Sequence, residues 1–304
     1  MKKEIADKPK NRIYESKGEP IFQAVLVIIF ILMSITFIYP YLHVLVNSFE
    51  DPDFASASGF RFFPKKPTLD AYIHMLNADY LWSGYWNTIQ VCFLGWALSL
   101  SGVVLAAYPL SKKDLPLRGL FTFIIVTTMF VSGGMIPTFL LVNNTLKLGN
   151  TYWAILLPSC ISVSNVVICR NFFMGLPAGL EEAATIDGAN SWQILWKVML
   201  PLSTPVLATI SLWVVVSNWN AYFNCLLYIT DSSKYVLQVV LRRIILTDSA
   251  EMTRADSTIT STLNTDDTTL RAASIMLATV PILCVYPFVQ KHFAKGMLMG
   301  SLKG

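Results

Sequence analysis

Six long runs of apolar residues divide the chain, and shorter polar segments separate them. Each run has about the 20 mostly apolar residues that a helix needs to cross a bilayer. The first run is too long for a cleavable signal and no small-residue cleavage site follows it, so we interpret it as a span. The pattern predicts an all-α membrane protein whose domain 21–293 contains six transmembrane helices, at about 21–46, 86–110, 121–142, 153–173, 205–229 and 272–289.

The composition agrees with this fold class. The 304 residues are 54% hydrophobic and 14% charged, and the mean hydropathy is +0.53, whereas a soluble domain carries about 25% charged residues. Basic residues concentrate in segments that six spans would place on one side, which the positive-inside rule assigns to the cytoplasm. The tails 1–20 and 294–304 are therefore predicted to be cytoplasmic, and 230–271 becomes an outer loop although it holds four arginines.

The apolar runs contain no Asp and no Glu, which decides between classes of transporter. Proton- and ion-coupled carriers usually place such groups at membrane depth, so a secondary carrier is a weak alternative. No phosphate-binding GxxxxGK[ST] loop occurs, so this chain is not expected to bind ATP. Asp51-Pro52-Asp53 indicates a turn beside proline more than a metal motif. A membrane enzyme is the less favoured alternative, and we predict no catalytic residue, metal site or nucleic-acid partner.

Residues 181–201 form a polar and amphipathic segment between two apolar runs. Ala183 and Ala184 favour a helix, and Asp187-Gly188 interrupts it, because Gly readily adopts positive φ. The pattern predicts a helix, a turn and a second helix that ends at Pro201. Such an element is too short to span a bilayer. It can dock on a partner, or it can serve as an interfacial connector without one.

The order of residues in this segment resembles the EAA loop of ABC importer permeases. The resemblance is carried by 182–184 (Glu-Ala-Ala), 187–189 (Asp-Gly-Ala) and 198–201 (Val-Met-Leu-Pro), with Val198 where Ile is usual. We call residues 181–201 the coupling segment. The resemblance implies a type I importer fold in which this segment docks on an ATPase subunit, through Glu181, Glu182, Ala183, Ala184, Asp187, Gly188, Leu200 and Pro201.

Two other stretches, SNWNAYFNCLLYI at 217–229 and QKHFAKGMLMGSLKG at 290–304, resemble the maltose-permease-like carbohydrate branch of that family. The resemblance implies a multi-pass protein of the bacterial cytoplasmic membrane that imports a sugar, expected to be an oligosaccharide. It also implies two copies of an ATPase subunit that hold ATP and Mg, a second and different permease, and an extracytoplasmic sugar-binding protein.

Polar side chains near the end of the fifth run are candidates for the sugar path, since polar residues inside spans usually face the bundle interior. Amides can bond sugar hydroxyls, and aromatic faces can cover pyranose rings. We name five path residues, and the alternative is that their amides only bond neighbouring helices. The path residues are Asn218, Trp219, Asn220, Tyr222 and Asn224.

Overall fold

The computed structural model of the chain describes residues 19–55, 62–246 and 268–284. These residues are helical, as predicted, and the one β-type contact among them is an isolated bridge between Glu50 and Pro67. The predicted tails 1–20 and 294–304 lie almost wholly outside the described residues, as does much of the loop 230–271. The helices are α1 (Glu19–Ser48), α2 (Pro52–Ala55), α3 (Asp70–Leu76), α4 (Asp79–Ser111), α5 (Arg118–Phe130), α6 (Met135–Leu140), α7 (Tyr152–Leu156), α8 (Val163–Met174), α9 (Ala178–Ile186), α10 (Ser191–Ile194), α11 (Leu200–Leu202), α12 (Thr204–Trp219), α13 (Tyr222–Tyr228), α14 (Leu237–Leu246) and α15 (Thr268–Cys284).

By length and composition, the described residues contain two unbroken helices that could cross a membrane, α1 and α4. The total rises to five if each of three bent helix pairs counts as one span. The six-span count therefore stays a prediction. The bends are 108° between α5 and the helix that starts at Met135, 52° between Tyr152–Ser159 and α8, and 81° between Ser191–Leu202 and α12.

The predicted spans 121–142 and 153–173 are each broken by residues that a straight helix does not accommodate. Gly134 has φ +85°, a left-handed conformation that most side chains avoid, and it separates α5 from α6. Pro158 lies in a 3₁₀ turn, Leu157–Ser159, before α8 begins at Val163. The fifth predicted span also breaks, because Tyr222 donates its N–H to the Asn220 carbonyl (2.7 Å) in a three-residue turn.

Helix α4 is the centre of the described bundle, since it contacts α3, α5, α7, α8, α12 and α14. Its two halves contribute to two separate apolar cores. The first half packs with α3, α13, α14 and α15, around Leu81 and Val91. The second half packs with α8, α12 and the coupling segment, around Val103 and Ala107. We call this second group of buried residues the coupling core.

The outer-loop stretch YVLQVVLRRIIL forms the short amphipathic helix α14, and its apolar face packs within this chain. Asn87 donates its side-chain N–H to the Ser233 carbonyl (2.7 Å), and Leu237 donates its backbone N–H to the hydroxyl of Thr88 (2.8 Å). A Cβ on Gly84 would come within 3.1 Å of Val240. Helix α14 is thus fixed on the first half of α4.

Candidate functional site

The turn between the two predicted helices of the coupling segment is a Schellman motif. Gly188 has φ +80°, as the Asp187-Gly188 pair predicts. Its N–H is donated to the Thr185 carbonyl (3.0 Å), and the N–H of Ala189 is donated to the Ala184 carbonyl (2.9 Å). These two bonds satisfy carbonyls that the end of α9 would otherwise leave unpaired. The turn therefore has a defined geometry and holds α10 at a fixed angle to α9.

The second helix starts with a capping box at Asn190. The Asn190 side chain accepts the N–H of Gln193 (2.9 Å), while the Gln193 side chain accepts the N–H of Asn190 (2.9 Å). This pair of bonds satisfies two donors at the helix start. Both ends of the turn are thus set by local hydrogen bonds, independently of any partner.

The prediction that the second helix ends at Pro201 is wrong by a short distance. A π-turn spans Leu195–Met199, in which Leu200 donates its N–H to the Leu195 carbonyl, and the helix then continues through Pro201 to Leu202. The i→i+5 register before the proline leaves room for a residue without an N–H. The break falls at the buried Ser203, and α12 begins at Thr204 with a proline in its first turn.

The coupling segment has an inner face and an outer face. Its inner residues pack into the coupling core: Ala184 and Ala189 contact it, and Ile194, Leu195 and Met199 are buried in it. Its outer residues are exposed. The exposed positions predicted for docking are Glu182, Ala183, Asp187, Gly188 and Pro201, joined by Ile186, while Ala184 and Leu200 are half-buried.

Ile186 is the most exposed large apolar side chain of the coupling segment, at 86%. Trp192 is also exposed, at 60%. Two concave surfaces border the segment, one of about 730 Å³ beside Glu182 and Ile186 and one of about 630 Å³ beside Trp192. Exposed apolar side chains next to carboxylates and concave surfaces are typical of a binding site for another protein.

Glu181 differs from the neighbouring Glu182, because it forms an ion pair inside the chain. Its carboxylate contacts the ammonium group of Lys112, at the end of α4. Lys112 also lies over the ring of Tyr108, 4.2 Å from the centroid, and that ring packs edge-on against Phe173. The pair therefore fixes α9 to the end of α4.

A polar cavity of about 230 Å³ opens between α4, α7, α8 and α12, and one path residue, Asn218, lines it. The other polar residues of the lining are neutral amides and hydroxyls. A Cβ on Gly95 would come within 2.3 Å of the Asn218 amide nitrogen, so glycine is what lets α4 approach that amide. The lining includes Asn218, Asn165, Ser99, Ser159, Ser162 and Ser217.

The serines of this polar cavity were not predicted from the sequence. Ser159 and Ser162 flank the break between α7 and α8, and the signal that could have found them is Pro158, which ends the preceding helix. Asn165 belongs to the first turn of α8 and is 8% exposed. Hydroxyl and amide groups on several helices can hydrogen-bond a polyhydroxyl ligand or water.

The other path residues point to different surroundings. Trp219 and Tyr222 pack against the first apolar core, and neither the indole N–H of Trp219 nor the hydroxyl of Tyr222 has a hydrogen-bond partner among the residues described. Arg242 lies over the Tyr222 ring at 4.6 Å. Asn220 donates to the Val216 carbonyl of its own helix (2.9 Å), and Asn224 is half-buried on α13. Of the five path residues, only Asn218 therefore lines the polar cavity.

The segment that follows α1 is held by acidic residues. Glu50 is 1% exposed, and its carboxylate accepts the backbone N–H groups of Lys65 and Lys66 at 3.0 Å. Asp51 forms an ion pair with Lys66 (2.7 Å), and this side-chain contact lowers the pKa of the Asp51 carboxyl below its usual value. Ala55 donates its N–H to the Asp51 carbonyl (3.1 Å), so the one-turn helix α2 starts directly after Asp51, where a turn was predicted.

Comparisons with known proteins agree with this arrangement. The protein family described as "binding-protein-dependent transport system inner membrane component" matches residues 99–299. The chain is 40% identical, over 97% of its length and all of the relative, to the polygalacturonan/rhamnogalacturonan transport system permease protein YtcP of Bacillus subtilis. It is 41% identical to protein LplC of the same organism, over 88% of this chain and 90% of that one.

A solved structure is similar over nearly the whole described fold. It is the crystal structure of a bacterial ABC transporter involved in the import of the acidic polysaccharide alginate. The TM-score is 0.85 and the sequence identity is 34%, with 92% of this chain and 99% of that chain covered.

Proposed function

The chain belongs to the family of binding-protein-dependent transport system inner membrane components and is a permease subunit of an ABC importer, and we propose that it moves an oligosaccharide into the cytoplasm. It is a membrane component that contributes a pathway, not an enzyme. Its relatives include a permease named for polygalacturonan and rhamnogalacturonan transport and a transporter for an acidic polysaccharide. Oligosaccharides with acidic sugars are therefore the first substrates to test.

The proposed assembly contains the partners that such a permease requires. Two copies of a separate ATPase subunit hold ATP and Mg, a second and different permease completes the pore, and an extracytoplasmic binding protein delivers the sugar. Both termini lie in the cytoplasm, where the basic tail residues favour the anionic inner surface. The coupling segment then lies on the same side as the ATPase.

One observation carries the docking assignment: the coupling segment buries one face in its own chain and leaves the other uncovered. Ile194, Leu195 and Met199 fix it to the coupling core, while Glu182 and Ile186 are exposed. The apolar side chain at the centre of such a face supplies most of the docking energy, and the surrounding carboxylates set register and rate. Glu182, Ala183, Ile186, Asp187 and Gly188 form the docking face of this proposal.

The sugar path follows from the polar cavity. Asn218 and the hydroxyl groups beside it are uncharged, so they can bond sugar hydroxyls without the desolvation cost of a buried charge. The cavity belongs to this chain alone, and the second permease completes the path around the sugar. Trp219, Asn220, Tyr222 and Asn224 remain candidates for contact with the substrate where the second permease closes the path.

The mechanism we propose is alternating access. ATP closes the paired ATPase subunits, the two coupling segments approach one another, and the spans turn outward to receive sugar from the binding protein. Hydrolysis reverses the movement and opens the path to the cytoplasm. Transmission needs a coupling segment that does not bend between its docking face and α12. The Schellman turn and the capping box supply that rigidity.

The docking face is tested with the complete importer in proteoliposomes. Ile186→Asp should lower the amount of ATPase that copurifies and should lower ATP-dependent uptake, whereas Ile186→Val, which stays apolar, should preserve both. Because this side chain is 86% exposed, neither variant should change the folding of the permease. Unchanged copurification and uptake with Ile186→Asp would refute the docking assignment.

The substrate class is tested in the same proteoliposomes by competition. Oligogalacturonides and neutral maltooligosaccharides of equal length compete with a labelled substrate in the presence of the binding protein. We expect inhibition by the acidic series. If an unrelated small molecule but no oligosaccharide is imported, the proposal for the substrate is wrong.

A further inference from the structure

Lys112, which caps the end of α4, makes contacts that connect α4 to the coupling segment. Its ammonium group is paired with Glu181 on α9 and lies over the Tyr108 ring on α4. The two charged side chains are 28% and 29% exposed, so water screens them only in part. The ion pair therefore joins the first helix of the coupling segment directly to the longest helix of the described bundle.

Two arginines hold the same end of α4. Arg118 and Arg170 each donate the Nε–H of the guanidinium to the Leu110 carbonyl, both at 3.0 Å. The last carbonyls of a helix lack partners inside it, and cations are favourable there. Helices α5 and α8 are thus attached to the point from which Lys112 reaches α9. The same end of α4 therefore contacts α5, α8 and α9.

The two adjacent glutamates therefore have different surroundings. Residues next to one another on a helix point about 100° apart, so one can face the bundle while the other faces away. Glu181 faces Lys112. Glu182 is exposed, and its side chain makes no ion pair or hydrogen bond with any residue in the described ranges.

We propose that Lys112 is a positioning residue for transport: its pairing with Glu181 carries movement of the coupling segment into α4, without contact to the ATPase or the sugar. This inference rests on the proposed docking of the coupling segment. Breaking the pair leaves the docking face intact, so ATP is still hydrolysed but each cycle moves the permease helices less completely. The amount of sugar imported per ATP is the quantity that must change.

The experiment reverses each charge alone and then both together in the complete importer. Lys112→Glu and Glu181→Lys each place like charges side by side. Each should lower sugar uptake per ATP hydrolysed by about fivefold, which corresponds to ~1 kcal/mol. The double variant restores an opposite pair and should recover most of the loss. Copurification of the ATPase should stay at the level of the unmodified complex in all three.

The matched control is Lys147→Glu, the same charge change on a lysine between α6 and α7 that lines neither concave surface beside the coupling segment. Lys147 is exposed and makes no ion pair within the described part of the chain, so uptake per ATP should be unchanged. If a charge-reversed single variant does not assemble, Glu181→Gln decides, because it removes the charge without adding repulsion. It too should lower the ratio, and an unchanged ratio overturns the inference.

Three results would overturn the proposal: a double variant no better than the singles, a Lys112→Glu complex equal to Lys147→Glu, or an assembled Glu181→Gln complex with the ratio of the parent chain. Failure of the docking face is a separate result. It is reported by Ile186→Asp through copurification, whereas the Lys112 test is read from the ratio of uptake to hydrolysis in complexes that have assembled.

Discussion

Gly95 provides a sharp test of whether the polar cavity is part of the sugar path. In Gly95→Ala the new Cβ would lie 2.3 Å from the amide nitrogen of Asn218, 2.8 Å from its Cγ and 3.0 Å from a methyl of Leu156. Carbon and nitrogen atoms in contact need about 3.5 Å, so the amide must move by ~1 Å. Overpacking of this kind costs about 1–3 kcal/mol, and it changes where the Asn218 amide points into the cavity.

The expected effect on transport follows from the lost hydrogen bond. One neutral hydrogen bond contributes about 0.5–1.5 kcal/mol, which corresponds to roughly a 2- to 10-fold change in apparent affinity. We therefore expect the sugar concentration for half-maximal uptake to rise by about that factor in Gly95→Ala, with the ATPase still bound. The assay is the concentration dependence of uptake by proteoliposomes that contain the whole importer.

A matched control lies seven residues along α4, two helical turns away. In Gly102→Ala the new Cβ would approach Ile161 at 2.8 Å and 2.9 Å, a milder clash than the one at Gly95, and Gly102 does not line the polar cavity. Both variants should therefore lower thermal stability, Gly95→Ala by more, and only Gly95→Ala should change the apparent affinity. Equal affinities in the two variants, or an unchanged affinity in Gly95→Ala, would contradict the assignment of Asn218 to the path.

Three further predictions concern the turn and the segment after α1. Gly188→Ala should lower uptake per ATP, because an L-residue at φ +80° costs about 1–2 kcal/mol. Gly179→Ala should not, because Gly179 has open space around it and no positive φ. Unchanged uptake per ATP in Gly188→Ala would show that the turn need not be rigid. Glu50→Gln should speed tryptic cleavage of the segment after α1. A carboxylate oxygen that accepts backbone N–H groups is replaced by a donor, at a cost of ~1–3 kcal/mol. An unchanged cleavage rate would contradict this. The ion pair of Asp51 with Lys66 stabilises this segment above the usual carboxyl pKa of 3.8, and the stabilisation is lost as the pH falls through the lower pKa of Asp51 in the folded state. Cleavage of the parent chain by an acid protease should therefore accelerate in that pH range. In Asp51→Asn the cleavage rate should not show this pH dependence.

The sequence was most informative where a feature depends on neighbouring residues. The apolar run 21–46 predicted α1, and the Asp187-Gly188 pair predicted the turn that Gly188 makes at φ +80°. Both follow from hydrophobicity and backbone sterics over a few residues. The docking role of the segment came from the resemblance of its residue order, not from its amphipathic pattern, which also suits a connector.

Features that depend on distant contacts could not be predicted. Which of the two glutamates faces the bundle is decided by Lys112, 69 residues earlier in the chain. The polar cavity needs serines from either side of a helix break together with Asn218, and the approach of α4 that Gly95 permits. The breaks inside apolar runs were missed for a related reason: hydropathy does not distinguish a continuous helix from two helices that meet at Gly134 or near Pro158.

Helix α12 connects the coupling segment to the polar cavity, so the two proposed sites share one helix. It begins at the Ser203 break, directly after the coupling segment, and Asn218 lies in its last turn. Its 16 residues span ~24 Å, most of the ~30 Å thickness of the hydrocarbon core. Its buried face, around Ile210, shares the coupling core with Leu195 of the coupling segment. Because a packed interior has few voids, we expect movement of the segment to move α12 with it. In the proposed mechanism, α12 is therefore the element through which a partner that moves the coupling segment changes the sugar path.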